Sequence, residues 1–158
     1  MVLRRRTSAD LASIVGWVPD RDALYLFTGP RLRWPLTEEQ LDLLDGVDGT
    51  SAWVLVDQSK PDALLGHVDL TCSGTEARLG RVIIDPERRG EGLGSTLVNL
   101  ALDKARELGI IRVDLNVIVG NVPAIRTYER LGFVAQDSSE RPDVILMATD
   151  LDTVESAR

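Results

Sequence analysis

The chain has 158 residues, the length of one ordinary domain; 44% are hydrophobic and only 4% aromatic, so an aliphatic core is expected. A formal charge of −7 argues against sequence-independent binding to nucleic acid, which relies on an excess of Lys and Arg, and no apolar run approaches the roughly 20 residues of a membrane span. Cys72 and His67 are each the only residue of their type, which excludes an internal disulfide and a cysteine- or histidine-rich metal site; no metal is expected, and a reducing, cytoplasmic setting fits best.

The N-terminal "MVLRRRTSAD" carries three arginines with no apolar stretch behind them, so no secretory leader is expected. Residues 2–5 read as a short strand. Residues 7–18 read as a helix, with Thr7 or Ser8 as N-cap and Leu11, Ile14 and Val15 at helical spacing. Residues 19–35 read as irregular and hold Tyr25, Phe27 and Trp34. A second helix is expected over 36–47, with Thr37 and Gln40 at capping-box spacing and Gly46 as its stop.

Strands follow over 51–57, 63–71 and 77–85, separated by short polar turns, which predicts an antiparallel meander. His67 falls within the second of these and reads as structural or surface. Next comes "RRGEGLGSTL", residues 88–97, with glycines at 90, 92 and 94. A helix begins there, with Leu97, Val98, Ala101, Ala105 and Leu108 on one stripe and Gly109 as its end. Residues 110–117 alternate, with Ile111, Val113, Leu115 and Val117 on one face. Asn121 is a natural N-cap for a helix over 122–131, and strands are expected over 133–137 and 143–151. The order predicts an α/β domain with a mixed, mostly antiparallel central sheet flanked by helices, a single domain over 1–152 and a frayed tail over 153–158.

Glycine at the start of a helix packs nothing and costs backbone entropy. It does let an anion reach the unpaired N–H groups of the first turn, where the helix dipole is positive. Arg88 and Arg89 add charge beside it, so the loop reads as a phosphate site. A Walker A loop fails, because Ser95 follows Gly94 directly with no lysine. A dinucleotide fingerprint fails on its GxGxG spacing and its place after a meander. The third reading is a pyrophosphate site for coenzyme A.

Arg89, Gly92 and Gly94 form R-x-x-G-x-G, and this resembles the acyl-CoA loop of the GNAT superfamily of N-acetyltransferases. "VIIDP" before it resembles that family's central strand. "GNVPAIRTYERLGF" resembles its segment N-x-x-A-x-x-x-Y-x-x-x-G-F, through Asn121, Ala124, Tyr128, Gly132 and Phe133. The two segments stand in the family's order and spacing.

The resemblance implies direct transfer from acetyl-CoA to an amine held in the same complex. It implies that Arg89, Gly90, Glu91, Gly92, Leu93, Gly94 and Ser95 bind the pyrophosphate, with Asn121 close by. Val82, Ile83 and Ile84 are implied to pair with the pantetheine amides, and an N–H near Ile84 to meet the carbonyl oxygen. Tyr128 is implied as the acid for the leaving thiolate, a phenol being protonated at neutral pH. Some relatives carry a glutamate base where this chain has Arg78 or Asn116, so Glu76, Asp69, Asp114 and His67 are the remaining titratable candidates. Tyr25, Phe27 and Trp34 are expected to wall the acceptor site, Trp17 and Trp34 being equally candidates for the core. The expected acceptor is a primary amine, a small amine or amino-acid derivative ahead of a protein N-terminus, and the chain's acidity favours a cationic one. A homodimer is an expectation by analogy with relatives. The second functional class is a non-catalytic acyl-CoA-binding domain of the same fold.

Overall fold

The computed structural model describes residues 1–137 and 141–151; the tail expected from residue 153 lies outside them. Among these residues one sheet runs in the order β1-β2-β3-β4-β5-β7-β6. Its strands are β1 Val2–Arg5, β2 Thr50–Asp57, β3 Lys60–Ser73, β4 Glu76–Ile84, β5 Arg112–Ile118, β6 Val134–Ala135 and β7 Val144–Asp150. The helices are α1 Leu11–Gly16, α2 Arg21–Thr28, α3 Glu38–Asp42, α4 Leu93–Glu107 and α5 Val122–Arg130. Only β4 and β5 pair in parallel. Two-residue turns after β2 and β3 force antiparallel neighbours, whereas the chain crosses from β4 to β5 through α4, as a parallel pair requires.

Strand alternation divides the core between the two faces of the sheet. Leu55 of β2 and Val68 and Leu70 of β3 join Leu97, Val98, Ala101 and Ala105 of α4 on one face. Val54 and Val56 of β2 pack under Leu11, Ile14, Leu24, Phe27 and Leu41 on the other. Full burial of each such side chain contributes about 1.5–3 kcal/mol before entropy is counted. The α4 stripe forms as expected except at Leu108, which follows the last helical residue and is 55% exposed. Ile111 is likewise exposed, and Ile110 is buried in its place.

The strand expected over 133–137 is confined to Val134–Ala135, and three helical segments differ from the sequence expectation. The first helix opens as a 3-10 turn over Ser8–Asp10 before α1. The helix expected over 36–47 stops at Asp42, although Thr37 caps it as expected, accepting from Gln40 N. The stretch 19–35, read as irregular, contains α2, capped by Asp20 accepting from Ala23 N at 2.8 Å and closed by Gly29 at φ 64.

β1 is tied to the 3-10 turn by a two-pronged pair, Arg4 Nη1 and Nη2 each donating to an Asp10 oxygen at 2.9 Å. Thr7 N also donates to Asp10, at 2.7 Å. Burial pushes the Asp10 carboxyl up, but the Arg4 pair and the Thr7 amide outweigh it and hold it below the usual aspartate value. A carboxylate with a depressed folded pKa stabilises the fold fully above its unfolded value, about pH 4, and that contribution disappears as pH falls through the lower folded value. Asp10→Asn is expected to lower stability by about 1–2 kcal/mol near neutrality. In urea titrations the deficit should shrink on acidification below about pH 4; a deficit independent of pH would contradict this role for the pair.

Candidate active site

β4 and β5 are paired only from Glu76↔Arg112 to Leu79↔Leu115. Beyond that point β4 stays on β3, with His67↔Ile83 and Gly66↔Ile84, and β5 stays on β7 as far as Ile118↔Val144. The two strands therefore part. Where they separate, the β3–β4 register shifts and Arg81 takes φ 46, a left-handed value rare for a side-chain-bearing residue. A cleft of about 1030 Å³ runs through the gap, larger than one drug-sized ligand needs.

The glycine loop and the N-terminus of α4 form one wall. Gly90 and Gly92 both have positive φ, 84 and 79, and Gly92 is the N-cap of α4. A Cβ at either would meet no protein atom within 4 Å, so the space beside the backbone is open. Among the described residues the main-chain N–H groups from Arg89 to Ser95 have no acceptor; the first to find one is Thr96 N, which donates to Gly92 O at 3.3 Å. Arg89, Gly90, Gly92, Leu93, Gly94 and Ser95 all line the cleft. Glu91 does not; its side chain is exposed and holds Arg88 at 3.0 Å. An open run of donors at a helix N-terminus with arginines beside it fits a diphosphate.

Val82, Ile83 and Ile84 also line the cleft. Asp85 N donates to Leu65 O at 2.9 Å, so strand alternation turns the N–H and C=O of Ile84 away from β3 and toward the gap. On the facing side, Asn121 is at the N-cap of α5 without a side-chain capping bond, and Tyr128 projects from that helix. Tyr128 is 7% exposed, and its ring meets Phe133 edge-on at 5.8 Å. Burial pushes its phenol up to about 12.

The opposite wall is α2 and the Gly29–Arg31 turn that follows it. Of the three aromatic residues expected there, Phe27 lines the cleft, packed edge-on to His67 at 5.9 Å. Tyr25 lies beside it, donating to Asp143 and accepting from Arg141 Nη1 at 3.3 Å, and so ties α2 to the start of β7. Trp34 is not in the lining and packs on the core under α1 to α3. Gln40 explains its position: it bonds Arg33 N, Arg33 O and Pro35 O at 2.8, 3.1 and 3.0 Å, folding that segment back onto α3. Trp17 lines the cleft as well as being buried.

The candidate bases are all withheld from the cleft. His67 is fully buried, with Nδ1 donating to Arg81 O at 2.8 Å and Nε2 accepting from Arg6 Nη1 at 3.1 Å; burial pushes it down, so it is neutral. Asp69 is 1% exposed and accepts from Arg81 Nε. Asp114 holds Arg78 Nε at 2.8 Å, and Glu76 is exposed at the start of β4. Among the described residues the lining has no carboxylate and no histidine, but eight arginines. Arg31, Arg81 and Arg141 were not singled out from the sequence, because alternation and helix spacing carry no mark of which distant segments converge.

The profile of the acetyltransferase (GNAT) family matches residues 21–133, which span α2, the meander, the glycine loop and α5. The chain belongs to the GNAT acetyltransferase family. This GNAT domain is 42% identical over 57 residues to an uncharacterized N-acetyltransferase of Methanocaldococcus jannaschii, covering 36% of this chain and 25% of that one. It is 48% identical over 50 residues to a mycothiol acetyltransferase of Corynebacterium glutamicum, covering 32% and 17%. The matches thus span about a quarter or less of these relatives. In three dimensions it resembles the spermidine N-acetyltransferase of Vibrio cholerae in complex with CoA and spermine, with TM-score 0.76, 25% identity and 94% of each chain covered. The GNAT fold accounts for the mixed sheet with its single parallel pairing. Among the described residues no helix is long and apolar enough to cross a membrane, and no group of three or more His, Cys, Asp and Glu is placed to hold a metal.

Proposed function

We propose that this GNAT domain transfers an acetyl group from acetyl-CoA to a primary amine, a small amine or amino-acid derivative rather than a protein N-terminus or lysine, with both bound in the cleft. The observation that carries this reading is the run of N–H groups from Arg89 to Ser95 without acceptors, opening on the same cleft as Tyr128. These amides, with Arg89, hold the diphosphate. The free edge of β4 beyond Leu79 pairs with the amides of the pantetheine arm, and Ile84 N–H is the donor for the carbonyl oxygen as it gains charge. Acetyl-CoA supplies the activated acyl group as a thioester. Tyr128 donates a hydrogen bond to the departing sulfur. A phenol at about 12 is a weaker acid than an alkyl thiol at about 8.5, so this bond stabilises the thiolate without full proton transfer.

With no side-chain base in the described lining, the amine reacts in its neutral form, its proton lost to water. The rise of kcat/KM with pH is therefore expected to follow the pKa of each acceptor amine rather than a common value set by the protein; one inflection shared by amines of different pKa would contradict it.

The same lack of a base favours a second reading, an acyl-CoA-binding domain without turnover. Release of free thiol from acetyl-CoA separates the two. Release that requires an added amine supports the transferase; CoA binding with no release from a broad amine panel supports the second reading.

A further inference from the structure

We infer that the acceptor is an acidic amine, one that carries a carboxylate, and that Arg81 is the anchor for that carboxylate; this rests on the transferase reading above. The overall charge of −7 favours a cationic acceptor, but the described lining of the cleft carries arginines and no carboxylate. Arg88, Arg89, Arg126 and Arg130 stand on the side of the loop and α5, where the phosphates of CoA lie under that reading. The other four, Arg31, Arg78, Arg81 and Arg141, stand on the acceptor side, and no carboxylate shares the described lining with them.

Arg81 has the features of a built site. Its side chain is only 9% exposed, yet it lines the cleft. Nε donates to Asp69, while neither Nη group has an acceptor among the described residues. Asp69 lies behind Arg81 and outside the lining, so it orients the guanidinium without presenting its own charge to the cleft. The left-handed bulge that re-aims Arg81 is fixed from below, because His67 Nδ1 donates to Arg81 O and Arg6 in turn holds His67.

Around this anchor, Arg31 is exposed at the end of the α2 turn and makes no pair with a described residue. Arg78 and Arg141 face acidic partners, Asp114 and Asp143, which also lie outside the lining. A carboxylate fits the fork of a guanidinium with two parallel hydrogen bonds, and burial strengthens them. A second ammonium on the acceptor meets like charge instead, which selects against polyamines.

The test uses matched acceptors: 4-aminobutanoate against 1,4-diaminobutane, L-phenylalanine against L-phenylalaninamide, and O-phosphoethanolamine against ethanolamine. Each is titrated calorimetrically into the CoA-saturated protein and assayed for thiol release from acetyl-CoA. The carboxylate members are expected to bind at least tenfold more tightly, with kcat/KM at least tenfold higher. The acid-to-amide ratio is expected to fall at least tenfold in R81K, which keeps a cation against Asp69 but lacks the fork. A smaller fall, about threefold, is expected in R31Q, whose exposed side chain holds no described part of the fold. Equal or tighter binding of the amide and diamine members overturns the inference, as does a preference confined to the phosphate pair or a ratio unchanged in both variants. Selective binding of acids that is lost in R81K, without thiol release, sinks the transferase reading and leaves Arg81 as a carboxylate-binding residue only; release without acid preference overturns the inference and leaves the transferase reading standing.

Discussion

Gly92→Val is expected to weaken CoA binding at least 100-fold in calorimetry while leaving the protein folded. Gly92 sits at φ 79 at the mouth of α4, so any L side chain there is strained, and a β-branched one most of all. That strain costs about 1–2 kcal/mol of stability. Its Cβ meets no protein atom within 4 Å, so the substitution breaks no packing. The larger loss comes from the ligand side: the branched group fills the space an approaching phosphate needs and shields the open amides from Arg89 to Ser95. Gly92→Ala separates the two terms, since it carries similar backbone strain with less bulk, and is expected to fall between wild type and valine. Undiminished CoA affinity in the valine variant, with the melting temperature lowered, would show that the strain is real and the phosphate assignment wrong.

Tyr128→Phe is expected to lower kcat about 100-fold with little change in CoA affinity. The ring stays against Phe133 and only the hydroxyl is lost, so the melting temperature should move little. Because burial pushes the phenol up to about 12, the wild-type rate should show no alkaline fall from this group across the usual assay range. A thiol-release rate within twofold of wild type would remove Tyr128 from the chemistry; a descending limb at about pH 10 that vanishes in the variant would show that its acidity is ordinary.

The glycine loop was legible because its reason is local. Gly90 and Gly92 need positive φ and an open flank, and both leave a mark in the sequence. The α4 stripe and the Thr37 cap were legible for the same reason. α2 was missed although its signals were present: Asp20 as cap, Leu24 and Phe27 one turn apart, and Gly29 as stop. Its eight residues lie among prolines and aromatics that mimic a loop. The cleft wall around Arg81 was the least legible part. Arg81 sits in "LGRVII", where alternation alone puts it on the face of Leu79 and gives no sign of the bulge that re-aims it. Its burial depends on a bulge held by His67 and Arg6, 14 and 75 residues away. No periodicity encodes that, and net charge does not report it, because none of the acidic residues that dominate the total is in the described lining.

The proposed reaction depends on the docking of a diphosphate at the N-terminus of α4. The most direct measurement is calorimetric titration of the wild-type protein with CoA and with pantetheine, which has the same thiol arm and no phosphate. CoA is expected to bind at least 100-fold more tightly than pantetheine. Equal affinities for the two, or no heat with CoA, would contradict it.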